Sequence, residues 1–184
     1  MSAAAFARDL NALGLLAVTL VLAAALVLQL ALGELPCPLC LLQRVGFVAV
    51  GFGLLLNVRF GPAPLHYGLV ILGALFGAAA AGRQVLLHIV PGSGAYGSPL
   101  LGLHLYTWSL ALFLVVVAGV ALLLMLEGQF ERSRAWSAAG WQRAVMGLYL
   151  AVTALVGASA FVECGPGECP DSPTGYWLLD QPRP

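Results

Sequence analysis

Lysine is absent from this 184-residue chain, and charged side chains of every kind make up only 9% of it. A water-soluble domain carries roughly 25% charged residues to keep its surface wet. So few charges exclude a globule bathed in water, and lipid has to cover most of the surface. The eight arginines are scattered and balanced by eight acidic residues, for a net charge of +0. No basic stripe is left to bind nucleic acid. Internal repeats, low-complexity tracts and connections long enough for a soluble domain are lacking as well. Cysteine is scarce, but its four copies fall in two close pairs, Cys37/Cys40 and Cys164/Cys169.

What is abundant is apolar: 61% of residues are hydrophobic and the mean hydropathy is +0.96. A spanning helix needs about 20 mostly apolar residues. Five stretches qualify, at 10–32, 38–58, 65–90, 100–126 and 143–162, and residues 163–184 remain as a tail. The first run is longer than a signal-peptide core, and Gly33-Glu34-Leu35-Pro36 is a poor cleavage site. It reads as a retained helix. The expectation is an all-α integral membrane bundle forming a single membrane domain.

Arginine placement sets the expected orientation. With the N-terminus inside, Arg8, Arg59, Arg132, Arg134 and Arg143 lie on the cytoplasmic side, and only Arg44, Arg83 and Arg183 fall toward the other. Trp136, Trp141, Tyr106 and Trp108 occupy positions suited to interfacial anchors. The C-terminus and both cysteine pairs are then external. That is where disulfides persist, since they are rare in the cytosol.

The first pair sits in Pro36-Cys37-Pro38-Leu39-Cys40-Leu41-Leu42-Gln43-Arg44. Proline suits the first helical position, so Cys37 caps the second helix and Cys40 lies in its first turn. Free backbone N–H groups and the helix dipole stabilise a thiolate there. Arg44, four residues on, shares the face of Cys40. A charge inside a membrane helix is costly and usually functional. The plainer alternatives are a structural disulfide with a snorkelling arginine, or half of a metal site.

The second pair is separated by Gly165-Pro166-Gly167-Glu168. A disulfide holds its Cα atoms within about 7 Å, so the chain must turn back, and the Gly-Pro-Gly run supplies that turn. A small exposed ring favours exchange with a partner; the alternative is a staple for the tail. Tyr176, Trp177, Leu178 and Leu179 follow as candidate surface anchors.

The first helix followed by Cys37-Pro38-Leu39-Cys40-Leu41-Leu42-Gln43-Arg44 resembles the DsbB family of quinone-linked disulfide oxidases. The resemblance covers helices one to four and implies a DsbB-like four-helix core, to which this chain adds a fifth transmembrane helix. It also implies a protein disulfide oxidoreductase of a bacterial inner membrane. Such an enzyme passes electrons from a periplasmic DsbA-like, thioredoxin-fold oxidase to ubiquinone or menaquinone in the membrane pool. Carried over by motif, Cys37 exchanges with the second pair, and Cys40 faces the quinone with Arg44 beside it. Gln84 and His88 match polar family positions near the end of the third helix, where either could hydrogen-bond a quinone carbonyl. The family's second cysteine pair lies between helices three and four. Here that loop has no cysteine, and Cys164 and Cys169 follow a fifth helix instead. The rival readings are a metal-binding membrane protein using all four thiolates, a thiol reductase conduit, a vitamin K epoxide reductase-like enzyme and a purely structural membrane subunit.

Overall fold

The computed structural model describes residues 2–90, 92–130 and 138–180. Pro91, Arg132, Arg134, Trp136 and Arg183 lie outside the described residues. Five long helices dominate: α1 (Ala3–Ala31), α2 (Pro38–Phe60), α3 (Pro64–Leu87), α4 (Leu105–Leu124) and α5 (Gly140–Cys164). Each is long and apolar enough to cross a membrane. The protein is an all-α membrane helical bundle.

Local chemistry sets the helix ends. Ser2 caps α1, its Oγ accepting from the Ala5 N–H at 3.2 Å. Pro38 and Pro64 open α2 and α3, where a missing N–H costs nothing. A short 3-10 helix, Glu127–Phe130, follows α4. Before α4, two-residue strands β1 (Pro99–Leu100) and β2 (Leu103–His104) form a small antiparallel hairpin.

The main packing runs in sequence, α1 on α2, α2 on α3 and α3 on α4, while α5 lies along α1 and touches α2. Phe113 of α4 is fully buried and stacks on Phe47 of α2 at 4.1 Å. α1 and α5 run parallel and in register. Gln142 donates to Asp9 at 2.7 Å near their first turns, and Gln29 donates to Glu163 at 3.2 Å near their last. At 1.5 Å per residue these two ties stand about 30 Å apart, the thickness of a bilayer's hydrocarbon core. Tyr149 of α5 anchors the middle, its hydroxyl donating to the Val48 carbonyl at 2.6 Å. Its ring lies over Gly51, where a Cβ would come within 2.3 Å of it.

At the end away from the cysteines, polar side chains bind the helices together. Asn57 donates to Asn11, Asn11 to Tyr67, and Tyr67 to Gln129 at 2.9, 2.8 and 2.7 Å. Such bonds join α1, α2, α3 and the 3-10 helix where lipid offers no alternative partner. Arg8, Arg59 and Arg143 belong to this same end, being placed at the start of α1, the end of α2 and the start of α5.

Candidate redox site

Cys37 is the N-cap of α2, and its Sγ accepts from the Cys40 N–H at 3.1 Å. A helix start aims unpaired N–H groups and the positive dipole end at that sulfur. The two cysteines are joined in a disulfide with Cα atoms 5.0 Å apart. Cys37 is buried and Cys40 half-buried. Gln84 of α3 reaches both sulfurs, its Nε2 lying 3.4 Å from Cys37 Sγ and 3.6 Å from Cys40 Sγ. Gln43 holds Gln84 in place by donating to its Oε1 at 2.7 Å.

Arg44 is buried, 8% exposed, with defined partners for its charge. Nη1 donates to Gln29 Oε1 at 2.6 Å and Nη2 to the Ala25 carbonyl at 3.1 Å. Cys40, Gln43, Arg44 and Gln84 share a cavity of about 120 Å³ with Tyr106 of α4 and Tyr96 of the preceding loop. Tyr96 forms part of the roof, donating to the Leu35 carbonyl at 2.6 Å, and Ser98 donates to Glu34 beside it. Burial, then the carboxylates of Glu163 and Glu34, push the Tyr96 phenol above the ordinary tyrosine range.

A larger apolar groove of about 600 Å³ lies between α1 and α4, floored by Phe47 and Leu54 of α2. Val21 and Phe47 belong to the walls of both spaces. The arrangement is a small, largely apolar chamber into which Cys40, Gln43, Arg44 and Gln84 bring polar groups, next to a larger hydrocarbon-lined slot. His88 stands outside the chamber. Its Nδ1 is 2.9 Å from the Gln84 carbonyl, and its ring stacks on Tyr106.

Cys164 and Cys169 form the second disulfide, their Cα atoms 4.7 Å apart. The chain reverses at Gly165, whose φ of +64° is a left-handed conformation that favours glycine. The Trp177 ring packs where a Cβ would be, at 2.5 Å. The tail is fastened to the end of α5, because Trp177 and Leu178 donate their N–H groups to the carbonyls of Glu163 and Val162 at 3.0 and 3.1 Å. Cys164, in the last turn of α5, is buried, whereas Cys169 is half-buried. The Gln29–Glu163 bond brings the end of α5 beside the end of α1, so both cysteine pairs occupy one end of the bundle.

Motif reading singled out Cys37, Cys40, Arg44 and Gln84, which meet in one site, and His88, which stays at its margin. It missed Gln29, Gln43, Glu163, Tyr96 and Tyr106 as site residues. A glutamine within an apolar helix and an acid beside a cysteine were the available signals.

Fold and site together define a polytopic helical membrane protein with two disulfides at one end, one of them set against a cavity that a buried arginine and two glutamines line. A family model for disulfide bond formation protein DsbB matches residues 7–97. Disulfide bond formation protein B of Nitrosomonas eutropha is 46% identical over 67 residues, covering 34% of this chain and 41% of that relative. The protein of the same description from Pseudomonas syringae pv. tomato is 42% identical over 87 residues, 44% of this chain and 50% of the relative. Disulfide bond formation protein B 1 of Pseudomonas aeruginosa is 39% identical over 88 residues, 46% of this chain and 54% of the relative. The region that holds α1, α2, α3 and the first cysteine pair is thus the part of the chain that matches the DsbB family. It aligns with about half the length of the relatives it matches. No solved structure matches it.

Proposed function

We propose that this protein is a thiol:quinone oxidoreductase of a bacterial inner membrane, reoxidising a periplasmic DsbA-like thiol oxidase. The observation that carries the reading is the position of Cys40, in the wall of a small chamber that Arg44, Gln43 and Gln84 also line, with an apolar groove beside it between α1 and α4. Those paired spaces fit a molecule with a polar ring and a hydrocarbon tail. Arg44, Gln84 and Gln43 offer the polar contacts for the ring, and Val18, Val21 and Val116 are among the apolar walls for the tail.

The partner's dithiol reduces Cys164–Cys169 and leaves as a disulfide. The new Cys164/Cys169 dithiol then reduces Cys37–Cys40, through Cys37, and its own disulfide re-forms. A quinone held beside Arg44, Gln43 and Gln84 would supply the electron sink, accepting the two electrons and two protons that the Cys37/Cys40 dithiol gives up. Cys40, as the thiolate, faces the chamber, where Arg44 favours its negative charge. Re-closure of Cys37–Cys40 completes the cycle. The arginines Arg8, Arg59 and Arg143 at the opposite end support an outward direction for both pairs. Ubiquinone and menaquinone both satisfy this chemistry. His88 acts from outside the chamber, by supporting the end of α3 and Tyr106, rather than on a quinone carbonyl.

The test is quinone reduction by purified protein supplied with a reduced thioredoxin-fold oxidase. Cys40→Ala is expected to abolish it. Normal turnover by that variant would overturn the reading.

A further inference from the structure

Glu163 is the least expected member of this region. It lies on α5, outside the family-matched residues, and is 2% exposed. Its Oε2 accepts from Gln29 Nε2 at 3.2 Å, while the other end of the same amide, Oε1, accepts from Arg44 Nη1 at 2.6 Å. Gln29 is 1% exposed, so the three side chains form a buried chain from α5 through α1 to α2. Glu163 Oε1 is buried with no hydrogen-bond partner among the described residues. Buried charges are normally paired, because leaving one alone in a low-dielectric interior is costly. Here the acid and the base meet through a neutral amide. That geometry braces the guanidinium while keeping the carboxylate one residue's width away.

We propose that Glu163, acting through Gln29, is a positioning residue for Arg44 and the counter-charge that limits how strongly Arg44 favours the Cys40 thiolate. Arg44 lies one helical turn from Cys40, where residues four apart are neighbours. Its position and its uncompensated charge therefore both act on that sulfur. Gln29 fixes the position, since its Oε1 and the Ala25 carbonyl accept from the two Nη groups. Glu163 offsets the charge. The remaining titratable groups facing this chain are Tyr176 of the tail near Arg44, and Tyr96 of the loop near Glu163 and Glu34. Because Glu163 immediately precedes Cys164, the second cysteine pair and the arginine of the first are joined by one short hydrogen-bonded path. The role of Arg44 toward a quinone rests on the oxidoreductase reading above; its effect on Cys40 does not.

The test uses the full-length protein in detergent, reduced and then alkylated with iodoacetamide over a pH series, with Cys40 followed by peptide mass spectrometry. Glu163→Gln keeps an acceptor for Gln29 and removes the charge, so the alkylation midpoint of Cys40 should fall by about half a pH unit or more. Glu163→Asp keeps the charge and should hold the midpoint near wild type, which also serves if the glutamine variant fails to fold. Gln29→Leu removes the brace and should raise KM for a soluble ubiquinone analogue several-fold more than it lowers kcat. Cys40 midpoints that are the same in wild type and Glu163→Gln would overturn the proposal, as would a midpoint that moves equally in Glu163→Asp. If no variant or wild type reduces quinone yet the midpoint shift appears, the inference stands and the oxidoreductase reading falls.

Discussion

At the scale of single residues, the site is held by amides. Gln84 spans both sulfurs of the first pair and is itself held by Gln43. Gln84→Leu removes these bonds and leaves the buried Gln43 amide without its acceptor. Loss of a hydrogen bond in such a place costs about 1–3 kcal/mol, so quinone reduction is expected to fall roughly tenfold or more. His88→Ala touches no wall of the chamber and should cost less than about threefold by the same steady-state assay. Tyr96 reports on the roof. Its phenol is held above the ordinary tyrosine range, first by burial and then by Glu163 and Glu34. A raised folded value means that its contribution to stability is complete below the unfolded tyrosine value of about 10 and fades as pH rises through the folded one. The absorbance of tyrosinate at 295 nm, compared between wild type and Tyr96→Phe, should show this hydroxyl ionising after the exposed tyrosines.

At the scale of elements, α5 is the addition that needs explaining. It meets α1 through Asp9–Gln142 at one end and Gln29–Glu163 at the other, with Tyr149 laid against Gly51 between them. Gly51→Ala drives a methyl group into that ring. Overpacking of this kind costs about 1–3 kcal/mol, and thermal unfolding in detergent should show a lowered Tm with α5 as the helix released. The five helices were legible because an apolar run of spanning length has few other uses. Pro38 likewise announced the start of α2 and the capping role of Cys37. The pairing of α5 with α1 was not legible. Gln29 and Glu163 stand 134 positions apart in the chain, and neither helix carries a local signal naming its neighbour. The chamber was half legible: Cys40 and Arg44 share a helix face, whereas Tyr96 and Tyr106 arrive from a loop and a helix that only tertiary packing brings close.

At the scale of the whole molecule, the design puts two disulfides at one end and the arginines Arg8, Arg59 and Arg143 at the other. Arginine bias predicts that the disulfide end faces outward. Alkaline phosphatase fused after Asp180 should therefore be active in a bacterial host, and the same enzyme fused after Gly61 should be inactive; the reverse pattern would invert the topology. Facing outward, the two pairs would be available to the periplasmic thiol oxidase proposed above, and the groove between α1 and α4 to the bilayer. Set at the end of α5, the second pair lies at the same end of the bundle as the first. Under the proposed relay, that placement would let the matched region of α1, α2 and α3 work with a second cysteine pair that it does not itself contain.

The most direct test of this relay supplies the purified protein with a reduced DsbA-like oxidase and a ubiquinone analogue while quinone absorbance is followed. Reduction that proceeds in wild type and is lost in both Cys37→Ala and Cys164→Ala is the predicted result. Reduction that continues at the wild-type rate in Cys164→Ala would contradict the two-pair relay and leave the C-terminal disulfide as a staple for the tail.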